Sequence, residues 1–484
     1  MRQRAAVYSI AITLSILVVV GLLRVGSFML PDAPTSLPGL QAIESASPID
    51  QVVDNARHPL VRLLVQLLLI VGTARICARL ATQAGQPPVI GEIAAGIVIG
   101  PSVLGAIAPG ASATLFAPDS LPILQMLSQI GVLLFMFVIG VELDASHIKG
   151  RTHTAIAVSH FSIAVPFILG VVLALLIYRA YAPPNVPFHA FALFLGVAMS
   201  ITAFPVLARI LEERHLTATP LGTTALTCAA VDDVTAWSLL AFVSAVITSG
   251  GAGQTLATMI LLSLAFVIFM AYVARPLLAR LLDSTRRADA LSKEHIAMVL
   301  AVLLLSALAT EVIGIHALFG AFLAGVIIPA DATFKQLLRE RLETIGSVLL
   351  LPLFFAYTGL RTQIGLLGEA NDWLLCLAII LVATAGKMGG TIVAARWTGL
   401  GWHESFALGA LMNTRGLMEL IALNVGYDLG ILTPKVFTMM VLMALVTTAM
   451  TGPLLSFVER RGERKTGIRR RSEAAERFPD HSRK

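Results

Sequence analysis

The chain has 484 residues, of which 57% are hydrophobic and only 13% charged, with a formal net charge of +6. A soluble domain carries about 25% charged residues, so composition excludes an ordinary soluble protein, and no nucleic-acid partner is expected. Apolar runs of about 20 residues recur along the chain, each long enough to cross a bilayer core as a helix. They are continuous rather than alternating, which excludes a transmembrane barrel. The expected fold class is an all-α polytopic membrane protein. The three cysteines, Cys77, Cys228 and Cys376, lie in or beside apolar runs. They read as helix-contact residues, with no disulfide framework, metal knuckle or cofactor implied.

In chain order, Met1-Arg-Gln-Arg and the apolar stretch 5–23 form a basic end followed by a hydrophobic core. This is either a signal or an extra span, and the lack of a small-x-small cleavage pattern favours a retained span. Residues 1–58 are this hydrophobic segment plus a polar linker. Further apolar segments follow at 60–81, 88–107, 121–143, 154–181, 190–211, 220–248, 255–282, 295–313, 317–328, 344–360, 373–397, 404–425 and 434–458. Numbered from the N-terminus these are spans 1 to 14, and 13–14 transmembrane helices are expected. Span 10 is short and flanked by Gly and Pro, which predicts a bend. With the N-terminus inside, Lys149, Arg151, Arg214, Arg275, Arg280, Arg286, Arg287, Lys293, Lys335, Arg339 and Arg341 fall in inner loops. The outer segments hold Arg24, Arg57, Arg62, Arg179, Arg361 and Lys435. The positive-inside rule then predicts both ends inside, with a cytoplasmic C-terminus, and the expected location is the cell (inner) membrane. The basic tail 459–484 is expected to lie on anionic lipid headgroups.

An internal repeat is readable. Gly91-Glu-Ile-Ala-Ala-Gly96-Ile-Val-Ile-Gly-Pro101 in span 3 matches Gly320-Ala-Phe-Leu-Ala-Gly325-Val-Ile-Ile-Pro329 in span 10. Leu134-Phe-Met-Phe-Val-Ile-Gly140 in span 4 matches Leu353-Phe-Phe-Ala-Tyr-Thr-Gly359 in span 11. The matched spans lie an odd number of crossings apart, so the halves enter the membrane in opposite directions. The units would be spans 3–7 and 10–14, an inverted-topology repeat of the kind that holds a site near the midplane. Span 6 carries Pro205, which disfavours helix at Thr202–Phe204. Span 13 carries Asn413, Thr414 and Gly416, weak helix formers whose polar groups can satisfy freed backbone. Paired interruptions at matching places point to an ion site.

Span 7 places Asp232 and Asp233 side by side in an apolar run. One charge at the bilayer centre costs ~2.5–3.5 kcal/mol on insertion scales, and such residues mark ion paths. Helix neighbours point about 100° apart, so the two acids are expected to have separate roles. Lys387, midway along span 12, is the expected partner of one of them. Arg415 and Glu419 stand four apart on span 13 and can pair with each other, supporting the broken helix with Asn413 and Thr414. One carboxylate is left over. It can hold a proton or a small cation but not both, which is the minimal chemistry of an exchanger. Glu92 reads as a helix-contact residue. Glu142 and Asp144, like Glu311 and His316, read as solvated ends.

Several strings of the chain, namely Gly85-Gln-Pro-Pro-Val-Ile-Gly-Glu92 through Gly100-Pro-Ser102, Phe137-Val-Ile-Gly-Val-Glu-Leu-Asp144, Ala230-Val-Asp-Asp233, Gly386-Lys387 and Asn413-Thr-Arg-Gly416, resemble the monovalent cation:proton antiporter-2 family. This is the group of Kef-type and bacterial Na⁺/H⁺ antiporters. The resemblance covers 60–458 and implies five-helix inverted repeats with two broken crossing helices. It implies a homodimer whose exchanger domain, 59–458, has three parts. An ion-carrying core comprises about 153–249 and 373–458, a dimer scaffold about 59–144 and 295–361, and a linking helix about 255–282. By resemblance Asp233 matches the essential cation- and proton-binding carboxylate, so the metal ligand for a monovalent cation. Asp232 matches the acid that pairs with the lysine, here Lys387. Thr202 lies on the unwound segment and is expected to lend oxygen ligands. Members with this Asp-Asp pair and lysine resemble the electrogenic type. Kef-type members often carry Gln-Asp, and this chain departs from them there. The tail 459–484 is too short for a nucleotide-binding regulatory domain of ~120 residues.

The function expected is a secondary active Na⁺ or K⁺/proton antiporter working by alternating access; the alternative is a Kef-type K⁺ efflux or channel-like system. A channel would need a carbonyl-lined filter, and no Thr-Val-Gly-Tyr-Gly-like string occurs. No His-Glu-x-x-His, Gly-x-Ser-x-Gly or phosphate loop marks an enzyme. An acid pair facing a lysine argues against an organic-anion symporter.

Overall fold

The computed structural model describes residues 58–142, 152–217, 219–248, 253–285, 293–328 and 332–477. The chain divides after Arg62 into two units. Of the first, only 58–62 are described, and they open helix α1, Pro59–Gln83. The predicted N-terminal span, Asp144 with the side chain of Glu142, and the side chains of the basic tail lie outside the described residues.

The second unit is helical, with no strand among its described residues. After α1 come α2 (Pro88–Ile99), two short turns, α3 (Leu121–Glu142) and α4 (Thr152–Tyr181). Next are α5 (Phe188–Ser200), α6 (Phe204–Glu213) and α7 (Pro220–Thr248). Helices α8 (Gly253–Phe269) and α9 (Arg275–Thr285) run on through a π segment as one mostly exposed rod. Then follow α10 (Lys293–Ile313), α11 (Ala317–Val326), α12 (Ala332–Ile345) and α13 (Leu351–Arg361). The last are α14 (Ala370–Trp397), α15 (Trp402–Met412), α16 (Leu417–Asp428) and α17 (Pro434–Arg477). Four of these helices, α1, α2, α7 and α17, open on proline, where the missing N–H would have no intrahelical partner anyway.

Among the described residues, eleven stretches are long and apolar enough to cross a membrane, and the bent pair α15–α16 makes a twelfth. The short apolar α11 accounts for the remaining segment predicted after the first. The protein is therefore a multi-pass membrane protein. In lipid every backbone polar group must be satisfied internally, which is why spanning structure here is helical.

The repeated glycine strings sit at the closest helix crossings. A Cβ on Gly96 of α2 would run into the Ala356 carbonyl of α13, and one on Gly359 into the Ile93 carbonyl of α2. A Cβ on Gly140 of α3 would likewise meet the Phe322 carbonyl of α11, and one on Gly325 the Phe137 carbonyl of α3. Thus the α2–α13 crossing and the α3–α11 crossing use corresponding glycines of the two matching strings. Small residues allow such backbone approach, which is a main source of helix association in membranes. A further close seam joins α4 to α14, where Gly386 and Gly390 admit Pro166 and Val165.

Candidate functional site

Two interruptions meet in the middle of the molecule. Between α5 and α6 the residues Ile201, Thr202 and Ala203 are not helical. The break lies one residue earlier than Pro205 alone predicts. Pro205 falls within the first two positions of α6, where proline is tolerated, so Phe204 already belongs to the helix. Between α15 and α16 the chain unwinds at 413–416, with a bend of 43°. Gly416 has φ 154° and ψ −128°, a conformation open to glycine and costly for other residues. The breaks touch directly, since the Ala203 N–H donates to the Thr414 carbonyl at 3.1 Å.

Breaking a helix exposes its last carbonyls, which carry a partial negative charge. At the end of α5 two buried cations meet them. Arg415 donates through its two terminal nitrogens to the Ala198 (3.2 Å) and Met199 (2.6 Å) carbonyls. Lys387 donates to the Ser200 carbonyl at 2.5 Å. Arg415 also pairs with Glu419, Nη1 to Oε1 3.2 Å, both side chains being fully buried. Glu419 stands in the first turn of α16, where a carboxylate complements the helix N-terminus. Thr448 of α17 completes the second break, accepting from the Arg415 N–H (3.1 Å) and donating to its carbonyl (2.7 Å). Asn413 donates to the Thr447 carbonyl (3.4 Å), and Thr414 to the Thr451 hydroxyl (3.4 Å).

The two acids of α7 face this junction with unlike surroundings. Asp232 is saturated. It accepts from Ser159 (2.5 Å) and Ser162 (2.8 Å) of α4, from Thr202 (2.6 Å) and from Lys387 (3.0 Å). Asp233 is 2% exposed, yet its Oδ1 has no hydrogen-bond partner. The backbone N–H of Phe204, at the N-terminus of α6, faces this carboxylate. A narrow cleft lies against Asp233, lined by Ile201, Ala236, Trp237, Leu240 and Met418. One carboxylate is thus locked by four donors, while its neighbour offers an unused oxygen to a narrow cleft.

Thr202 lies on the unwound segment, as expected, and its hydroxyl donates to Asp232, which leaves the oxygen's lone pairs for any ligand role. Sequence reading missed Ser159 and Ser162. Their i, i+3 spacing on an apolar span was the available signal, but their target is 70 or more residues away. The cations' bonds to α5 carbonyls had no local signal. Glu311 and His316 are also more than solvated ends. Glu311 accepts from the Ala317 N–H (2.7 Å) and His316 Nδ1 from the Leu318 N–H (3.4 Å), satisfying the first amides of α11. Glu92 is half-buried on α2. Among the described residues no cluster of His, Cys, Asp and Glu is arranged to hold a metal.

Comparison with known proteins gives a consistent placement. The chain is 43% identical over 402 residues to the Na(+)/H(+) antiporter NhaS4 of Synechocystis, covering 82% of this chain and 97% of that one. It is 38% identical to Cation/H(+) antiporter 17 of Arabidopsis thaliana and 35% identical to K(+)/H(+) antiporter 1 of Saccharomyces cerevisiae. It spans only about half the length of these two, 50% and 47%. The fold is similar to that of the sodium proton antiporter MjNhaP1 from Methanocaldococcus jannaschii, with a TM-score of 0.57 at 16% identity, over 82% of this chain and 94% of that one. Residues 67–460, nearly the whole described membrane unit, match the family model for Sodium/hydrogen exchanger, transmembrane, and the chain belongs to that family.

Proposed function

We propose that this chain is a secondary active antiporter that exchanges Na⁺ or K⁺ for H⁺ by alternating access, with Asp233 as the carrier. The observation that carries the reading is the contrast between the acids: Asp232 has four donors, and Asp233 has a buried oxygen with none. A buried carboxylate that is charged needs a partner. Asp233 therefore holds either a proton or a cation, and exchanging one for the other across the membrane is antiport. Asp232 and Lys387 hold the interrupted α5–α6 span in shape, and Thr202 serves the site beside Asp232. Asn413, Thr414, Arg415 and Glu419 do the same for the second break. The relatives named for Na⁺/H⁺ and for K⁺/H⁺ exchange support both cations as substrates. Electrogenic exchange follows if Lys387 also releases a proton during the cycle.

In this reading the repeat units are inverted, and the core of about 153–249 and 373–458 moves against a scaffold of about 59–144 and 295–361. The helix of about 255–282 links them. A homodimer in the inner membrane, C-terminus in the cytoplasm, completes the proposal. Helix α1 supports it with an uncovered apolar face of Leu64, Leu68, Ile76 and Leu80, fit for lipid or a second copy.

The test is proton flux in proteoliposomes acidified inside, with Na⁺ or K⁺ added outside. Cation-triggered flux is expected in the parent and absent in Asp233→Asn. Flux surviving that substitution would sink the assignment. Because proton and cation compete for one carboxylate, the apparent KM for the cation should rise about tenfold per unit as pH falls through the titration range of the site. A KM independent of pH there would refute competition.

A further inference from the structure

The cleft beside Asp233 does not end there. It shares Trp237 and Leu240 with a second narrow cleft running along α7 to Ser244 and the start of α11. That one shares His316, Leu318 and Val425 with a third between α3, α13 and α16. Through these shared residues the three clefts mark a closed file from the candidate ion site to the ends of α13 and α16, the face expected to be external from the distribution of basic residues.

Arg361 sits at the end of this file and fastens two helices across it. Its Nη2 pairs with Asp428 of α16 at 2.8 Å, and its Nη1 donates to Oδ1 of Asn424 at 3.0 Å. Asn424 in turn donates to Thr358 of α13 at 2.9 Å. The guanidinium lies between the rings of Tyr357 on α13 and Tyr427 on α16, 4.6 and 5.0 Å from their centroids. Tyr357 reaches Gln125 of α3 at 3.3 Å. At side-chain exposures of 14% and 29%, the Arg361–Asp428 pair is at the solvent boundary, while Ser128 and Val132 behind it are buried. A guanidinium with two acceptors and two aromatic faces is a preorganised clasp, which lysine could not reproduce. In the proposed partition α13 belongs to the scaffold and α16 to the core, so the clasp joins the two parts.

The geometry points to Arg361 as a latch on the external route to Asp233. Its bonds to Asp428 and Asn424 close the mouth of the file. The latch opens when α16 moves away from α13, admitting the hydrated cation to Asp233. This rests on the antiporter reading for what travels along the file, but not for the file itself.

The test is labelling of Leu240→Cys, whose side chain lines both inner clefts. The background would carry Cys77→Ser, Cys228→Ala and Cys376→Ala. A membrane-impermeant thiol reagent is applied separately to each face. Asp428→Asn and Arg361→Gln should each speed labelling from the external face about tenfold, as expected for loss of a partly exposed ion pair with aromatic support. The charge swap Arg361→Asp with Asp428→Arg should return the rate toward the parental value. Asp428→Asn lies on an exposed residue and keeps the Asn424 bond, so it reports even if Arg361→Gln does not fold. Unchanged rates in Asp428→Asn, or labelling confined to the other face, would overturn the latch. Labelling needs no transport. Failure of the antiporter reading would appear instead as flux persisting in Asp233→Asn.

Discussion

Two adjacent aspartates should respond in opposite ways to the same substitution. Asp232→Asn keeps the shape but removes the charge that four donors address. The Lys387 ammonium, fully buried, is then left without a counter-charge, with only neutral acceptors such as the Ser200 carbonyl. Breaking a buried ion pair by removing one partner costs about 3–5 kcal/mol. The asparagine amide must also present its NH₂ to a side already occupied by hydroxyl donors, which costs roughly 1–3 kcal/mol for any group left unsatisfied. Asp233→Asn removes no ion pair, and its Oδ1 has no bond to lose. Its effect on stability should stay within about 1 kcal/mol, or be favourable, because a neutral amide is cheaper to bury than a charge. The assay is thermal unfolding of each detergent-solubilised variant, read by loss of monodisperse protein on size exclusion. The expected order is parent and Asp233→Asn together, with Asp232→Asn well below. Adding Lys387→Met to Asp232→Asn should restore most of the ion-pair loss, since no buried charge is then left without a partner. If Asp232→Asn is as stable as Asp233→Asn, or if Lys387→Met does not rescue it, the assigned pairing is wrong.

Arg415→Lys should be nearly as damaging to stability as Arg415→Leu, because one ammonium cannot reach two α5 carbonyls and Glu419 with a planar fork; near-parental unfolding of the lysine variant would count against that geometry. Gly96→Ala and Gly359→Ala should each lower stability by several kcal/mol or prevent assembly, since the new methyl meets backbone across the α2–α13 crossing. Gly72→Ala, with nothing within 4 Å of the new Cβ, should be neutral or stabilising by up to about 1 kcal/mol. Comparable losses at Gly72 and Gly96 would mean that helix propensity rather than close approach decides.

Much of this architecture is local in origin and was readable in the chain. Hydrocarbon thickness imposes a length on every apolar run, so the spans from 60 to 458 appear as strings. Proline and glycine chemistry marks the two breaks within a residue, Pro205 for one and Asn413 to Gly416 for the other. Charges inside apolar runs are too costly to be incidental, which singles out Asp232, Asp233, Lys387, Arg415 and Glu419 before any fold is known. The repeated glycine strings likewise announce close contacts, though not their partners.

What sequence could not assign is which group each charge meets, because that depends on elements far apart in the chain. Only the folded arrangement brings Ser159, Ser162 and Thr202 onto Asp232, and sets Lys387 and Arg415 against the open end of α5. Composition determined that the chain crosses a membrane and carries a buried surplus of acid. Tertiary structure decided which acid is the surplus. In a medium without water each polar group must find its partner within the protein. Asp233 and Glu419 each keep one buried oxygen without a partner, but Glu419 is paired with Arg415, while Asp233 has no such cation beside it among the described residues.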